Sequence, residues 1–137
     1  MVEGKTLFNP NQDQAQELHR TVMRARLEKK NILIEVGADW CVWCHRLEHF
    51  ILVNPELHQL RSRNYVHMRL FSGEGNDLPD VFDKLPPFDG IPHFFVYDFQ
   101  GNLLHSQNTE SFEVGETYDY TRVWEFLASW GTDKSIH

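Results

Sequence analysis

Cysteine is scarce in this chain: two residues in 137, too few for a disulfide framework. No apolar run approaches the roughly twenty residues that a membrane-spanning helix needs. The N-terminal stretch MVEGKTLFNP carries no apolar secretion segment. Basic charge is also in deficit, with thirteen Lys and Arg against twenty Asp and Glu for a formal charge of -7. That sign matches a phosphate backbone, so neither nucleic acid nor an anionic membrane surface is an expected partner. The local basic run from Arg20 to Lys30 does not reverse it. Glycine-serine linkers, internal repeats and low-complexity tracts are missing too. One domain is therefore expected over 1-137, with 1-10 as a polar N-terminal extension and 131-137 as a loose tail. A monomer is expected, periplasmic if a leader has been removed and cytoplasmic otherwise.

What remains is ample for a core: 41% hydrophobic and 13% aromatic residues. Asn11 and Asp13 are candidate caps for a first helix, in which Ala15, Leu18, Val22 and Ala25 recur at helical spacing. The run Ile32 to Val36 is apolar on both faces, as suits a strand covered from two sides. Gly37, Ala38 and Asp39 interrupt it, and a helix beginning near Cys41 carries Leu47, Phe50 and Ile51 until Asn54 and Pro55 kink or stop it. A second strand is predicted over Tyr65 to Phe71, closed by Gly73, Gly75 and Asn76. Leu78, Val81, Phe82 and Leu85 then suggest a short helical stripe before Pro86 and Pro87. A hairpin follows, His93 to Tyr97 with Leu103 to Ser106. Val123, Phe126, Leu127 and Trp130 mark a last amphipathic helix. The stretch from Glu110 to Tyr120, with Glu113, Glu116 and Asp119, reads as a solvated loop, with a partner contact as the alternative.

Trp40-Cys41-Val42-Trp43-Cys44 falls directly between the buried strand and the helix start. Two cysteines three apart at a first helical turn can close a small disulfide ring. Unpaired N-H groups and the helix dipole favour a thiolate there, which makes Cys41 a nucleophile and Cys44 its resolving partner. Trp40 and Trp43 offer flat apolar area for a partner protein, and Trp43 is expected to be the more exposed of the two.

The strand ILIEV, the motif WCVWC at a helix start, Gly90-Ile91-Pro92 before HFFVYD and the terminal amphipathic helix together resemble the thioredoxin superfamily, over roughly Glu17 to Trp130. The resemblance implies an α/β, thioredoxin-like fold with a central mixed β-sheet flanked by helices. It also implies thiol-disulfide exchange with protein thiols and disulfides, a separate redox partner and no cofactor. By the same resemblance Pro92 is cis and faces the cysteines, and Ile91 offers backbone hydrogen bonds to an extended substrate. Glu35, six positions before Cys41, stands where thioredoxins carry a buried carboxylate. Burial is expected to raise its pKa so that it accepts a proton from Cys44; the alternative is a carboxylate facing solvent. Val42-Trp43 departs from the usual Gly-Pro, and the uncharged ring favours a reductase over a strong oxidant.

His45 stands four after Cys41 and either faces it across a helical turn or does not. His93 is expected at the rim of the site. Three rival readings stand beside the enzyme. Cys41-Val42-Trp43-Cys44-His45 fits the haem-attachment pattern, Cys41, Cys44, His45 and His49 are zinc-type ligands, and the fold can serve as a redox-inactive docking module. No metal site is assigned, since a structural zinc usually draws on two separate ligand pairs.

Overall fold

The computed structural model describes residues 6-72 and 85-131. Helix α1 (Gln14–Glu28) starts where Asp13 caps it, its carboxylate accepting from Gln16 N at 3.0 Å, and stops at Lys29 in the left-handed conformation, φ 56°. Its Ala25 is buried, with Leu18 and Val22 against the same cluster, while Arg20 and Arg24 pair with Glu17 and Glu28 on the solvent side. Strand β1 (Asn31–Gly37) is buried along its whole length, as its two-sided apolar sequence requires.

Helix α2 (Val42–Leu52) closes at the C-cap Val53, and the Asn54 side-chain amide donates to the Phe50 carbonyl. The chain does not simply stop there. Pro55 sits at the first turn of a further helix, α3 (Pro55–Asn64), where its missing N-H costs nothing. Leu57 and Leu60 are the core residues of α3, too few for a conspicuous apolar stripe among ELHQLRSRN. Strand β2 (Tyr65–Phe71) follows without a break and pairs parallel to β1.

Strands β3 (His93–Tyr97) and β4 (Leu103–Asn108) form the expected hairpin, and β3 lies antiparallel to β1. The sheet is mixed, in the order β2-β1-β3-β4. Helix α4 (Tyr120–Ser129), capped by Asp119, packs Val123, Phe126 and Leu127 on the face that α2 and α3 also cover. Alternation along β1 divides the interior. Ile32, Ile34 and Val36 join Val66, Met68, Leu70 and Phe95 in the cluster facing α1, whereas Leu33 points into the cluster built with α2, α3 and α4.

The stretch from Glu110 to Tyr120 is not a solvated loop. It makes a short 3-10 turn (Glu110–Phe112) and a two-stranded ribbon, β5 (Glu113–Val114) with β6 (Thr117–Tyr118), turned at Gly115 with φ 59°. Phe112 and Tyr118 anchor it in the core, and burying two aromatic rings outweighs the solvation of the acidic residues between them. Phe8 is likewise buried, with Leu7 packed against the same cluster, so these two residues belong to the packed body. The predicted stripe at Leu78, Val81 and Phe82, the glycines at 73 and 75 and the tail beyond 131 lie outside the described residues.

Candidate active site at the cysteine pair

The Asp39 carboxylate that follows β1 is engaged with Leu7 and Phe8, and the residue that caps α2 is a cysteine. Cys41 is the N-cap, extended at φ -85° and ψ 109°, and its sulfur accepts the Cys44 N-H at 3.2 Å. Both cysteines are free thiols and both are buried. The surroundings split them. Hydrogen bonding from the Cys44 thiol, together with the backbone N-H groups of Cys44 and Trp43, draws the Cys41 pKa down against the effect of burial. The same bond to Cys41, with burial added, pushes Cys44 far up. One sulfur is thus prepared as a thiolate and the other held as a thiol.

Cys44 lies against the sheet because residue 37 has no side chain. A Cβ on Gly37 would stand 2.8 Å from Cys44 Sγ and 2.6 Å from Phe8 Cζ. Phe8 is held in place by Asp39, whose Oδ1 accepts from Leu7 N at 2.8 Å and Phe8 N at 3.1 Å. Across from the pair, the Ile91–Pro92 peptide bond is cis, and Cys41 Sγ lies 3.8 Å from the Ile91 carbonyl oxygen. Thr109 fixes this loop by donating to the Pro92 carbonyl at 2.6 Å. A groove of about 470 Å³ opens beside it, lined in part by Trp43, Phe88, Ile91, Pro92 and Glu113.

The two tryptophans reverse the expected order. Trp40 is 71% exposed, while Trp43 is partly buried, edge-on to Tyr118 at 5.3 Å with the Arg46 guanidinium 4.6 Å over its ring. Tyr118 also donates to the Trp43 carbonyl. The β5-β6 ribbon is what covers Trp43, and nothing local to the motif announces that ribbon.

His45 does not serve Cys41. Its ring is buried and its Nε2-H donates to the Asp39 carbonyl at 2.7 Å. His93 is not at the rim: it is 7% exposed, hydrogen-bonded to Ser106 at 2.8 Å and packed on Phe95, and burial lowers its pKa. Among the described residues, no group of three or more His, Cys, Asp or Glu side chains is placed to hold a metal ion.

Glu35 is 1% exposed, which removes the solvent-facing alternative. Its pKa does not rise, however. Burial alone would raise it, but the hydrogen bond from His67 at 2.8 Å and the charges of Arg69, His67 and Arg61 prevail and hold it at about 2. Arg69 Nε lies 3.5 Å away. The same arginine reaches Glu48, which Arg61 also grips at 2.7 Å, so Glu35 belongs to a buried network drawn from β1, β2, α2 and α3. Phe8, Asp39, Glu48, Arg61, His67, Arg69, Thr109 and Tyr118 escaped the sequence reading. Along β2, His67 and Arg69 alternate with Val66, Met68 and Leu70. Only the parallel register, Glu35 beside Arg69, shows that this second face is covered.

A thioredoxin-like family model matches residues 13-98. The chain belongs to the thioredoxin-like family. It is 24% identical over 97 residues to the thiol:disulfide interchange protein DsbD of Colwellia psychrerythraea, covering 70% of this chain and 16% of that protein. It is 34% identical over 59 residues to human spermatogenesis-associated protein 20, covering 43% of this chain and 8% of that one. The chain thus spans less than a fifth of the curated relatives it matches. Among solved structures, a disulphide isomerase from Xylella fastidiosa Temecula1 superposes with a TM-score of 0.72 at 17% identity, over 91% of this chain and 96% of that one. The oxidised C-terminal domain of Neisseria meningitidis DsbD gives 0.57 at 18% identity, over 83% and 93%. These likenesses establish the thioredoxin-like fold, a mixed sheet flanked by helices.

Proposed function

We propose that this thioredoxin-like chain exchanges its Cys41/Cys44 dithiol for disulfides in protein partners, working as a monomer and as a reductase, with a separate redox partner restoring its thiols. The observation that carries the reading is the asymmetry of the pair, a thiolate-favouring N-cap sulfur beside a buried resolving thiol. The names of the relatives, an interchange protein and an isomerase, support the same chemistry.

In the forward direction the Cys41 thiolate attacks one sulfur of the partner disulfide. The partner's S-S bond breaks, the other partner sulfur leaves as a thiolate, and Cys41 stays joined in a mixed disulfide. That step removes the Cys41 thiolate, the chief reason why Cys44 holds its proton, and so readies the second thiol. Cys44 then loses its proton, attacks Cys41 Sγ and releases the partner reduced. We assign Glu35 to assist that proton loss as the group that accepts the proton, since its negative charge by itself raises both thiols. Ile91 and Pro92 position the partner's backbone, and Trp40 with the exposed edge of Trp43 receives its side chains. Val42 and Trp43 place no cation in the ring, which supports the reductive direction.

Insulin reduction by the dithiol form tests this, with Cys44→Ser as a trap. The wild type should turn insulin over, and the variant should accumulate a mixed disulfide at Cys41. Folded protein that neither reduces insulin nor forms the adduct would sink the reading. Equilibration against glutathione then checks direction, a potential near about -270 mV marking a reductant and one nearer -120 mV an oxidant.

A further inference from the structure

The β5-β6 ribbon reaches the chemistry through a single peptide group. Tyr118 is 2% exposed, its ring edge-on to Trp43 and tilted against Phe50, so packing fixes where its hydroxyl lies. That hydroxyl donates to the Trp43 carbonyl at 3.1 Å. The Trp43 carbonyl and the Cys44 N-H belong to one planar amide, and because the peptide is trans they point to opposite sides of it. The Cys44 N-H in turn donates to Cys41 Sγ at 3.2 Å. Phenol and amide therefore form a chain of donors that ends on the Cys41 sulfur.

Hydrogen bonds linked in this way strengthen one another. A donor on the amide oxygen draws electron density from the nitrogen, which makes the N-H a better donor by about 10 to 30% per bond. Cys41 is sensitive to that gain. The Cys44 thiol does most to lower its pKa, burial opposes it, and the Cys44 N-H is the next influence on the lowering side. Tyr118 suits the task because it keeps its proton. Burial foremost, then the charges of Glu113, Cys44 and Cys41, raise its pKa against a hydrogen bond with Thr109. The other charged groups about the chain are Glu35 from β1, which raises Cys41, Glu113 from β5, and Arg46 from α2 over the Trp43 ring. All of them stay in place when the Tyr118 hydroxyl alone is changed.

We propose that Tyr118 is a positioning residue for the attacking sulfur: its hydroxyl holds and polarises the Trp43–Cys44 amide, and the N-H of that amide then stabilises negative charge on Cys41. The inference rests on the disulfide-exchange reading above and adds to it a group supplied from outside the cysteine motif. No bond to Tyr118 forms or breaks. The phenol keeps its proton throughout, while the thiolate attack and the departure of the partner sulfur proceed as set out above. A ribbon inserted between β4 and α4 thereby sets how much of Cys41 is ionised.

Iodoacetamide alkylation of the reduced protein against pH reads the ionisation of Cys41, since Cys44 is held as a thiol. Tyr118→Phe keeps the ring and removes the hydroxyl. Its midpoint should rise by about 0.3 to 0.5 pH unit, a two- to threefold loss of thiolate below the midpoint. Equilibration against glutathione should follow, because a less stable thiolate favours the disulfide; threefold corresponds to about 14 mV toward the reducing side. Tyr118→3-fluorotyrosine, a stronger donor of nearly the same shape, should move both readings the opposite way. Phe50→Leu loosens the same ring packing without touching the hydroxyl, and should lower stability while leaving the midpoint in place. A purely structural Tyr118 would change stability and shift neither reading. The inference is overturned if either folded hydroxyl variant keeps the wild-type midpoint, if both move it the same way, or if Phe50→Leu shifts it as far as Tyr118→Phe. Alkylation needs no partner protein, so opposite shifts without insulin turnover would defeat the exchange reading and uphold the donor chain. Normal turnover with a midpoint indifferent to position 118 removes this inference alone.

Discussion

Strand β1 shows two different proteins on its two faces. Toward α1 it presents Ile32, Ile34 and Val36 to Val66, Met68, Leu70 and Phe95, a dry cluster. Toward α2 the succession is Leu33, Glu35 and Gly37: a core residue, a buried anion and a gap that admits a sulfur. Every residue is buried on both faces, so burial does not distinguish scaffold from site. The chemistry of the buried groups does. The apolar face gains stability from area alone, whereas the polar face holds a carboxylate that is stable only with its partners present.

The contrast yields separable outcomes. Phe95 is 0% exposed at the centre of the dry cluster, so Phe95→Ala should cost about 3 to 5 kcal/mol of unfolding free energy by denaturant titration. The pH dependence of the surviving folded protein's thiol chemistry should be unaltered. On the other face, Glu48→Ala strands Arg61 and Arg69 and should also cost about 3 kcal/mol or more. Unlike the Phe95 variant, it should change the slope of stability against pH, because the freed guanidinium groups act on Glu35 and His67. Equal pH slopes for the two variants would erase the distinction between the faces.

Acid should act strongly on the polar face. Glu35 is held at about 2 in the folded protein against an ordinary 4.5. Its contribution is therefore full above about 4.5 and lost as pH falls toward 2, of order 3 kcal/mol in total. His67, with its pKa lowered, adds a loss of the same sign that begins earlier, as pH drops below 6.5. Unfolding measured from pH 7 to pH 2 should decline over that window in the wild type and more shallowly in Glu35→Gln. The smallest effect belongs to the surface. With Trp40 71% exposed, Trp40→Ala should move stability by less than about 0.5 kcal/mol and act instead on KM for a protein disulfide.

The strands were legible because their signals are local. Tyr65–Phe71 and His93–Tyr97 agree with their predicted spans, and Ile32 to Val36 lies within β1. Helix α3 was not legible, since Pro55 reads equally as a stop and as a first-turn residue, and Leu57 with Leu60 is too sparse a stripe to arbitrate. At the site, the cysteine spacing and the strand-to-helix setting pointed to a thiol at a helix start; that Cys41 is its cap came from the structure. The exposure of the tryptophans was misjudged because Tyr118, 75 positions after Trp43, supplies the cover.

Periodicity, turn residues and the spacing of Cys41 and Cys44 act over a few residues, so the four main strands, the first and last helices and the placing of a thiol at a helix start are written in the linear chain. The charge state of Glu35 is not. Its partners stand on β2, α2 and α3 and arrive only when the parallel pairing brings Arg69 beside it. A carboxylate's proton affinity is set by the charges and donors within a few ångströms, and distance in space is what folding alone supplies.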